Sequence, residues 1–121
     1  MVKANWESES FVEAKVNVEG IHFWDGAPMD VKFLREPHRH VFSIHAVKAV
    51  NHDDRDVEFI LLGRGIRDHI QKIWKEEFKG VVQFEQTSCE MIARELFNAF
   101  DLEECRVYED GENGGIIRRK R

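Results

Sequence analysis

Apolar and polar residues alternate along two segments of the first half of the chain, residues 11–23 and 38–50. Successive side chains of a strand point to opposite faces, so this period of two predicts two strands with one buried face each. Gly20 interrupts the first segment, and we expect a bulge there that redirects the chain. Residues 24–37 contain Asp25-Gly26 near their start and end in Pro37, a composition typical of a loop.

The second half of the chain changes to a helical period. Residues 63–78 place four apolar side chains on one stripe, which predicts a helix: Ile66, Ile70, Ile73 and Trp74. A second helix is expected to begin at Thr87, with Glu90 three residues later completing a capping box.

Three short segments, 57–60, 105–109 and 116–117, are predicted as strands, the last two joined by a glycine-rich turn. The resulting order, ββ-α-α-ββ, predicts an α+β fold with two helices on one face of an antiparallel sheet. The 121 residues contain no repeat or linker, so we expect a single domain, 1–121. Its basic tail, 118–121, either frays or reaches towards a neighbouring subunit or an anionic ligand.

Composition narrows the class of protein. The apolar fraction of 42 % and charged fraction of 34 % are ordinary for a globular domain, and the net charge of −5 argues against a nucleic-acid coat. No apolar run approaches the ~20 residues of a membrane span. The N-terminus lacks a secretory signal, so Cys89 and Cys105 are expected to be free thiols in a reducing, cytoplasmic compartment. Cys89 has a lowered pKa if exposed at a helix terminus, or is a structural thiol if half-buried.

Three histidines form the most informative pattern in the chain. His38 and His40 flank one residue at the start of the second strand and therefore point to the same face, while His22 closes the first strand. If the two strands pair in register, the three imidazoles converge. Three neutral imidazoles with a fourth position open are the usual ligand set of a catalytic zinc, so we expect Zn²⁺ here.

The same residues resemble the 6-pyruvoyl-tetrahydropterin synthase and 6-carboxy-tetrahydropterin synthase family, a branch of the tunnelling fold. The resemblance covers residues 11–117 and implies a three-histidine zinc site. It also implies strands assembled into an oligomeric β-barrel, with a homo-oligomer, a hexamer, as its expected form. It is carried by five matches in the family's order: His22, His38-Arg39-His40, Glu58-Phe59, Thr87-Ser88-Cys89-Glu90 and Val107-Tyr108-Glu109.

A ligand pocket is expected beside the metal. The resemblance implies that Glu109 anchors a pterin- or purine-like ring, and a carboxylate can accept two parallel hydrogen bonds from such an edge. Thr87, Ser88 and Glu90 lie at a helix N-terminus, where backbone N–H groups can receive a polar ring edge or a phosphate. Phe42 is expected to contribute an aromatic wall.

Two departures from the family bear on catalysis. Its catalytic cysteine has no counterpart in residues 23–37, where Leu34 holds the corresponding position. Its Asp-His pair has no counterpart in residues 75–86. Glu36 is the nearest residue that can replace the cysteine as a base. The resemblance therefore implies the fold, a metal and a ring pocket, without implying the synthase reaction.

Three functions remain open. The first is a divergent, metal-containing pterin- or purine-binding protein with altered lyase or hydrolase chemistry. The second is a non-catalytic binder that sequesters a small nucleotide, as some small phage-encoded proteins do. The third is a structural subunit without a ligand. Arginines in the pocket (Arg39, Arg64, Arg118 or Arg119) would favour a phosphate-bearing ligand, whereas a dry aromatic pocket with Glu109 would favour a neutral ring.

Overall fold

A long antiparallel pair forms the centre of the fold in the computed structural model, which describes residues 6–121. β1 (Ser10–His22) and β2 (His38–Val50) pair along their full lengths, with His22 opposite His38 at one end. Both strands were predicted from the alternating pattern to within one residue. The pairing of β1 with β2 has no register shift. A shift of one residue would turn the apolar side chains of one strand away from the core, so burial favours the continuous register.

The remaining elements extend this pair into a six-stranded sheet ordered β3-β4-β1-β2-β5-β6. They are α1 (Phe59–Ile73), β3 (Lys75–Glu77), β4 (Val81–Glu85), α2 (Cys89–Ala99), β5 (Glu104–Glu109) and β6 (Asn113–Arg118). The α+β class is confirmed. The prediction of an antiparallel sheet is wrong in one respect: β4 runs parallel to β1, so the sheet is mixed. This follows because α1 carries the chain back along the sheet before the β3–β4 hairpin begins.

The start of α1 corrects the predicted strand at 57–60. The side chain of Glu58 accepts hydrogen bonds from the backbone N–H groups of Ile60 and Leu61, so it caps a helix that begins at Phe59. Capping satisfies N–H groups that have no partner within the helix. The helix also ends earlier than predicted, at Ile73, because β3 follows it directly.

The start of α2 lies one residue later than the predicted capping box. Ser88 is the cap, with its hydroxyl oxygen accepting a hydrogen bond from Met91 N at 3.1 Å. The hydroxyl of Thr87 instead donates to the carbonyl of Phe84 and ties the helix to β4. This one-residue shift places Thr87 in the connection beside the site rather than in the helix.

The core lies between the sheet and the two helices, which cover the same face. It contains side chains from β1, β2, β4, β5, α1 and α2, among them Val16, Ile44, Phe84, Val107, Ile66 and Leu96. The predicted bulge at Gly20 is absent from the β1–β2 pair, and the irregularity occurs instead in the pairing of β1 with β4. Gly20 is required for space: a Cβ there would lie 2.5 Å from Cε2 of Phe84.

Two peripheral segments complete the fold. The loop between β1 and β2 contains a 3₁₀-helical segment, Met29–Arg35, and folds back so that Trp24 N donates to the carbonyl of Leu34. The basic tail lies along acidic residues of its own chain. Arg119 pairs with Asp101 and Glu103, and Arg121 pairs with Glu103. Among the described residues, no helix is long and apolar enough to span a membrane.

Candidate metal centre and adjoining cavity

The three predicted histidines come together at the end of the β1–β2 pair. Ring centroids lie 4.6 Å apart for His22 and His38, 5.5 Å for His22 and His40, and 5.1 Å for His38 and His40. One nitrogen from each ring lies within 4.8 Å of the other two, a spacing that could hold a metal ion. The strand register brings them together, because His22 lies opposite His38, and Gly20, which lies opposite His40, is two residues before His22 and on the same face. Their predicted convergence is confirmed.

Each imidazole is oriented through its Nδ1 atom. His22 Nδ1 donates to the carbonyl of Thr87 at 2.9 Å, and His38 Nδ1 donates to the carbonyl of Glu36 at 2.8 Å. His40 Nδ1 donates to the Asp110 carboxylate at 2.7 Å. Because carbonyl and ionised carboxylate oxygens can only accept, Nδ1 carries the proton of each neutral ring and Nε2 keeps its lone pair. Metal-binding histidines are usually held in this way.

The charge state of His22 also suits a metal ligand. Burial lowers the pKa of His22, and the nearby His38 and His40 lower it further, against the raising effects of the Thr87 carbonyl and Glu109. His22 is therefore neutral at neutral pH, as a metal ligand must be. The hydrogen bond from His40 lowers the pKa of Asp110, with help from the backbone N–H of Val41.

One atom tests directly whether the site fits a cation. His22 Nε2 is buried and has no hydrogen bond of acceptable geometry to any residue from 6 to 121, although Glu109 Oε1 lies 2.9 Å away. A buried polar atom without a partner is costly, so such atoms are rare in folded proteins. A metal ion bound to this nitrogen would remove the cost. The residues present therefore fit a metal centre.

Glu109 lies against the histidines, at the end of β5. Its Oε2 is 3.4 Å from His40 Nε2, and its Oε1 is 3.7 Å from the thiol of Cys89, which donates to it. Burial, followed by the charge of Glu109, raises the pKa of Cys89 to about 12. The thiol is thus buried and protonated, and the reactive alternative does not apply. Cys105 is also a free, buried thiol.

A cavity of about 520 Å³ opens beside the metal centre, within the size range of small-molecule sites. Its walls come from the loop after β1, the start of α2, the end of β5 and the start of β6. The lining residues are His22, Phe23, Trp24, Leu34, His38, Gln86, Thr87, Ser88, Cys89, Glu90, Met91, Glu109, Asn113 and Gly114.

Four of the predicted ligand residues line this cavity: Thr87, Ser88, Glu90 and Glu109. Phe42 does not line it. Its fully buried ring packs edge-on beneath His22, with centroids 5.0 Å apart, and so supports the metal centre from the core.

The predicted base, Glu36, has an exposed side chain that is not part of the cavity wall. It contributes through its carbonyl, which orients His38. Leu34, at the position of the family's catalytic cysteine, does line the cavity. The role of Glu36 as a base stays a prediction.

Asp110 is a residue of the metal centre that sequence analysis missed. It follows β5 with a positive φ of 53°, and this turn brings its carboxylate to His40 and to the N–H of Val41. The available signal was an Asp-Gly pair directly after the strand that ends in Glu109.

Comparisons with protein-family models and with curated protein sequences find no match to this chain. The fold and the site geometry therefore carry the functional argument. One of the matched motifs has a structural explanation, since Glu58 of Glu58-Phe59 caps α1.

Proposed function

We propose that this protein is a divergent member of the tunnelling fold that binds a neutral pterin- or purine-like ring beside a three-histidine zinc site. The observation that carries the proposal is the unpartnered His22 Nε2, buried at the boundary between the three rings and the cavity. Glu109 faces both the histidines and the cavity. A polar anchor and a metal at one end of a cavity are typical of a small-molecule site.

Zinc is the metal that we propose for the site. Imidazole nitrogens suit zinc well, and three of them are the protein ligands of several catalytic zinc sites. When bound, such an ion polarises a carbonyl or hydroxyl oxygen or lowers the pKa of a water molecule. The chain's own residues orient the rings through Nδ1 and keep one of them buried.

The charge of the cavity favours a neutral ring over a nucleotide. Its described lining residues include two carboxylates, Glu90 and Glu109, and no lysine or arginine. A phosphate would meet these carboxylates without a compensating cation. The four arginines that would have favoured a nucleotide lie outside the cavity wall, and three of them pair elsewhere, Arg39 with Glu19, Arg118 with Glu104 and Arg119 with Asp101.

The walls are also suited to a flat ring. Phe23 and Trp24 supply aromatic surface, and Trp24 remains half exposed at the mouth. Glu109 can accept hydrogen bonds from adjacent N–H groups of a guanine- or pterin-like edge. Binding is the core of the proposal. Altered lyase or hydrolase chemistry would need a base in place of the cysteine, and Glu36 would have to turn from solvent into the cavity to serve.

Metal content tests the proposal first. Protein purified without chelator or an affinity-tag metal should contain about one zinc per chain, as expected for one three-histidine ligand set. The His38→Ala/His40→Ala variant should lose it. A matched variant, His45→Ala/His52→Ala, removes two histidines outside the cluster and should retain it. Absence of zinc from the wild-type protein, or its retention in the first variant, would contradict the metal site.

Calorimetric titration tests the ligand class. The zinc-loaded protein should bind pterin or guanine more tightly than guanosine monophosphate, because the phosphate would approach Glu90 and Glu109. Tighter binding of the monophosphate would instead favour the nucleotide-sequestering alternative. The absence of binding to any of the three would leave the structural-subunit hypothesis.

We also propose that the chain forms a homo-oligomer, with a hexamer as the form that the resemblance implies. Within the described part of the chain, β6 is an edge strand with one side unpaired, and its Ile116 is 46 % exposed. Such an edge is a template for pairing with another chain. Light scattering of the purified protein should give several times the 14.3 kDa chain mass, and a monomer would contradict this proposal.

A further inference from the structure

We propose that Glu109 is a fourth protein ligand of the metal, so that the centre of the free protein is His₃Glu. The inference rests on the proposed metal site and adds a role for Glu109 that differs from ring recognition. Its basis is the contact of one carboxylate with the Nε2 atoms of two different histidines, His22 and His40.

The hydrogen-bonding roles in this contact are incompatible without a cation. His22 Nδ1 donates to a backbone carbonyl and His40 Nδ1 donates to Asp110, so both Nε2 atoms present lone pairs in the neutral rings. The Glu109 oxygens that face them also present lone pairs. His22 Nε2 makes no well-aligned hydrogen bond to Glu109 despite the short distance. A metal ion bound by all three groups turns this acceptor-to-acceptor contact into shared coordination.

The separation of Glu109 from His40 matches that of two ligands of one ion, and its separation from His22 is shorter by about 0.4 Å or more. Zinc–nitrogen and zinc–oxygen bonds of about 2.0–2.2 Å at tetrahedral angles place neighbouring ligand atoms about 3.3–3.6 Å apart. Glu109 lies 2.9 Å from His22 Nε2 and 3.4 Å from His40 Nε2. Its side chain is 31 % exposed and is held from the core side by the Cys89 thiol. Glu109 is thus the carboxylate placed to complete the set.

Metal affinity of matched carboxylate variants tests the inference. Binding of Zn²⁺ and Co²⁺ is measured by competition with a chromophoric chelator for the wild-type protein, E109Q, Asp110→Asn and Glu112→Gln. Loss of a group that hydrogen-bonds a metal ligand costs about 10–100-fold in metal affinity, so Asp110→Asn should lose affinity within that range. E109Q would remove a ligand itself and should lose more than about 100-fold. Glu112 is exposed in the turn after β5, so Glu112→Gln removes one carboxylate charge near the site and should leave the metal affinity unchanged.

The visible spectrum of the Co²⁺ form gives a second readout, because band energies and intensities report the ligands and their number. E109Q should shift these bands, whereas Glu112→Gln should not. Circular dichroism of the metal-free variants verifies folding, and Glu109→Asp, which keeps the carboxylate one methylene shorter, replaces E109Q if the latter does not fold.

The outcomes separate the two proposals. Wild-type protein that binds neither ion overturns the metal site itself, and the Glu109 inference falls with it. Wild-type binding with an unchanged affinity and Co²⁺ spectrum in E109Q overturns only the inference and leaves a three-histidine centre. A loss beyond about 100-fold with altered Co²⁺ bands supports the fourth ligand.

Discussion

Gly20→Ala is the substitution whose effect the structure defines most sharply. The added Cβ would lie 2.5 Å from Cε2 and 2.6 Å from Cδ2 of Phe84, and 3.0 Å from Cε2 of Phe42. Gly20 does not have a positive φ, so the cost comes from packing and not from backbone strain. Phe84 cannot retreat easily, because its ring lies against Phe42 and Trp74 with centroids 4.8 and 5.1 Å away.

The magnitude follows from the cost of overpacking a core, about 1–3 kcal/mol of unfolding free energy. Unfolding entropy of about 2.1 cal/mol/K per residue gives about 0.25 kcal/mol/K for a chain of 121 residues. The melting temperature of Gly20→Ala should therefore fall by about 4–12 °C. Because Phe42 supports the ring of His22, zinc affinity should fall as well.

The assay is thermal unfolding by circular dichroism in the presence of a chelator, followed by zinc competition on the folded proteins. Gly63→Ala is the matched control. Its Cβ would meet Val16 Cγ2 at 3.6 Å and Ala14 Cβ at 3.9 Å, which are ordinary contacts. Gly63 lies inside α1, so alanine there should raise stability by about 0.5–1 kcal/mol.

Opposite signs for the two glycine variants are thus expected. A Gly20→Ala protein as stable as the wild type would refute the packing argument, since Phe84 would then have room to move. An equal loss of stability in Gly63→Ala would refute it too, because the cost would belong to glycine replacement in general.

Three other predictions concern single groups. Ser88→Ala should cost about 1 kcal/mol of unfolding free energy in urea by removing the α2 cap, and Ser88→Asp should restore it; an unchanged midpoint would argue against capping. The pKa of His22 is lowered in the folded, metal-free protein, so on acidification the unfolded chain binds a proton at His22 near pH 6.5, before the folded protein does. The free energy of unfolding therefore falls as the pH is lowered. The stability advantage of the wild type over His22→Asn in chelator should therefore shrink between about pH 7.5 and 5, and a growing advantage would contradict the sign. Cys89 and Cys105, each with a pKa raised to about 12, should react with a colorimetric thiol reagent only as the protein unfolds, whereas immediate reaction of one thiol per chain would contradict their burial.

Local patterns were sufficient for much of the fold. The period of two in β1 and β2 is strong because one face of each strand is buried over many residues. The β3–β4 hairpin escaped detection because β3 is only Lys75–Glu77, without apolar alternation, and is held by pairing with β4. The apolar residues after Glu58 have the composition of a strand. In the structure the Glu58 carboxylate accepts hydrogen bonds from the backbone N–H groups of Ile60 and Leu61 and so caps α1.

The sequence by itself determined that His38 and His40 share a face, since alternation in a strand requires it. It also determined that β1 and β2 each have one apolar face and that Glu109 ends a short strand near the C-terminus. These are consequences of local geometry and of burial.

Only the tertiary structure decided that His22 meets the other two histidines, because a slip of one residue in the pairing would turn it to the opposite face. The tertiary structure also determines which groups accept the hydrogen bonds from the three Nδ1 atoms. Two of these are backbone carbonyls, at Thr87 and Glu36, and every residue has a carbonyl, so sequence does not mark the ones that are used. The contact of Glu109 with His22 joins residues 87 positions apart, and only the packing of β5 beside β2 brings them together.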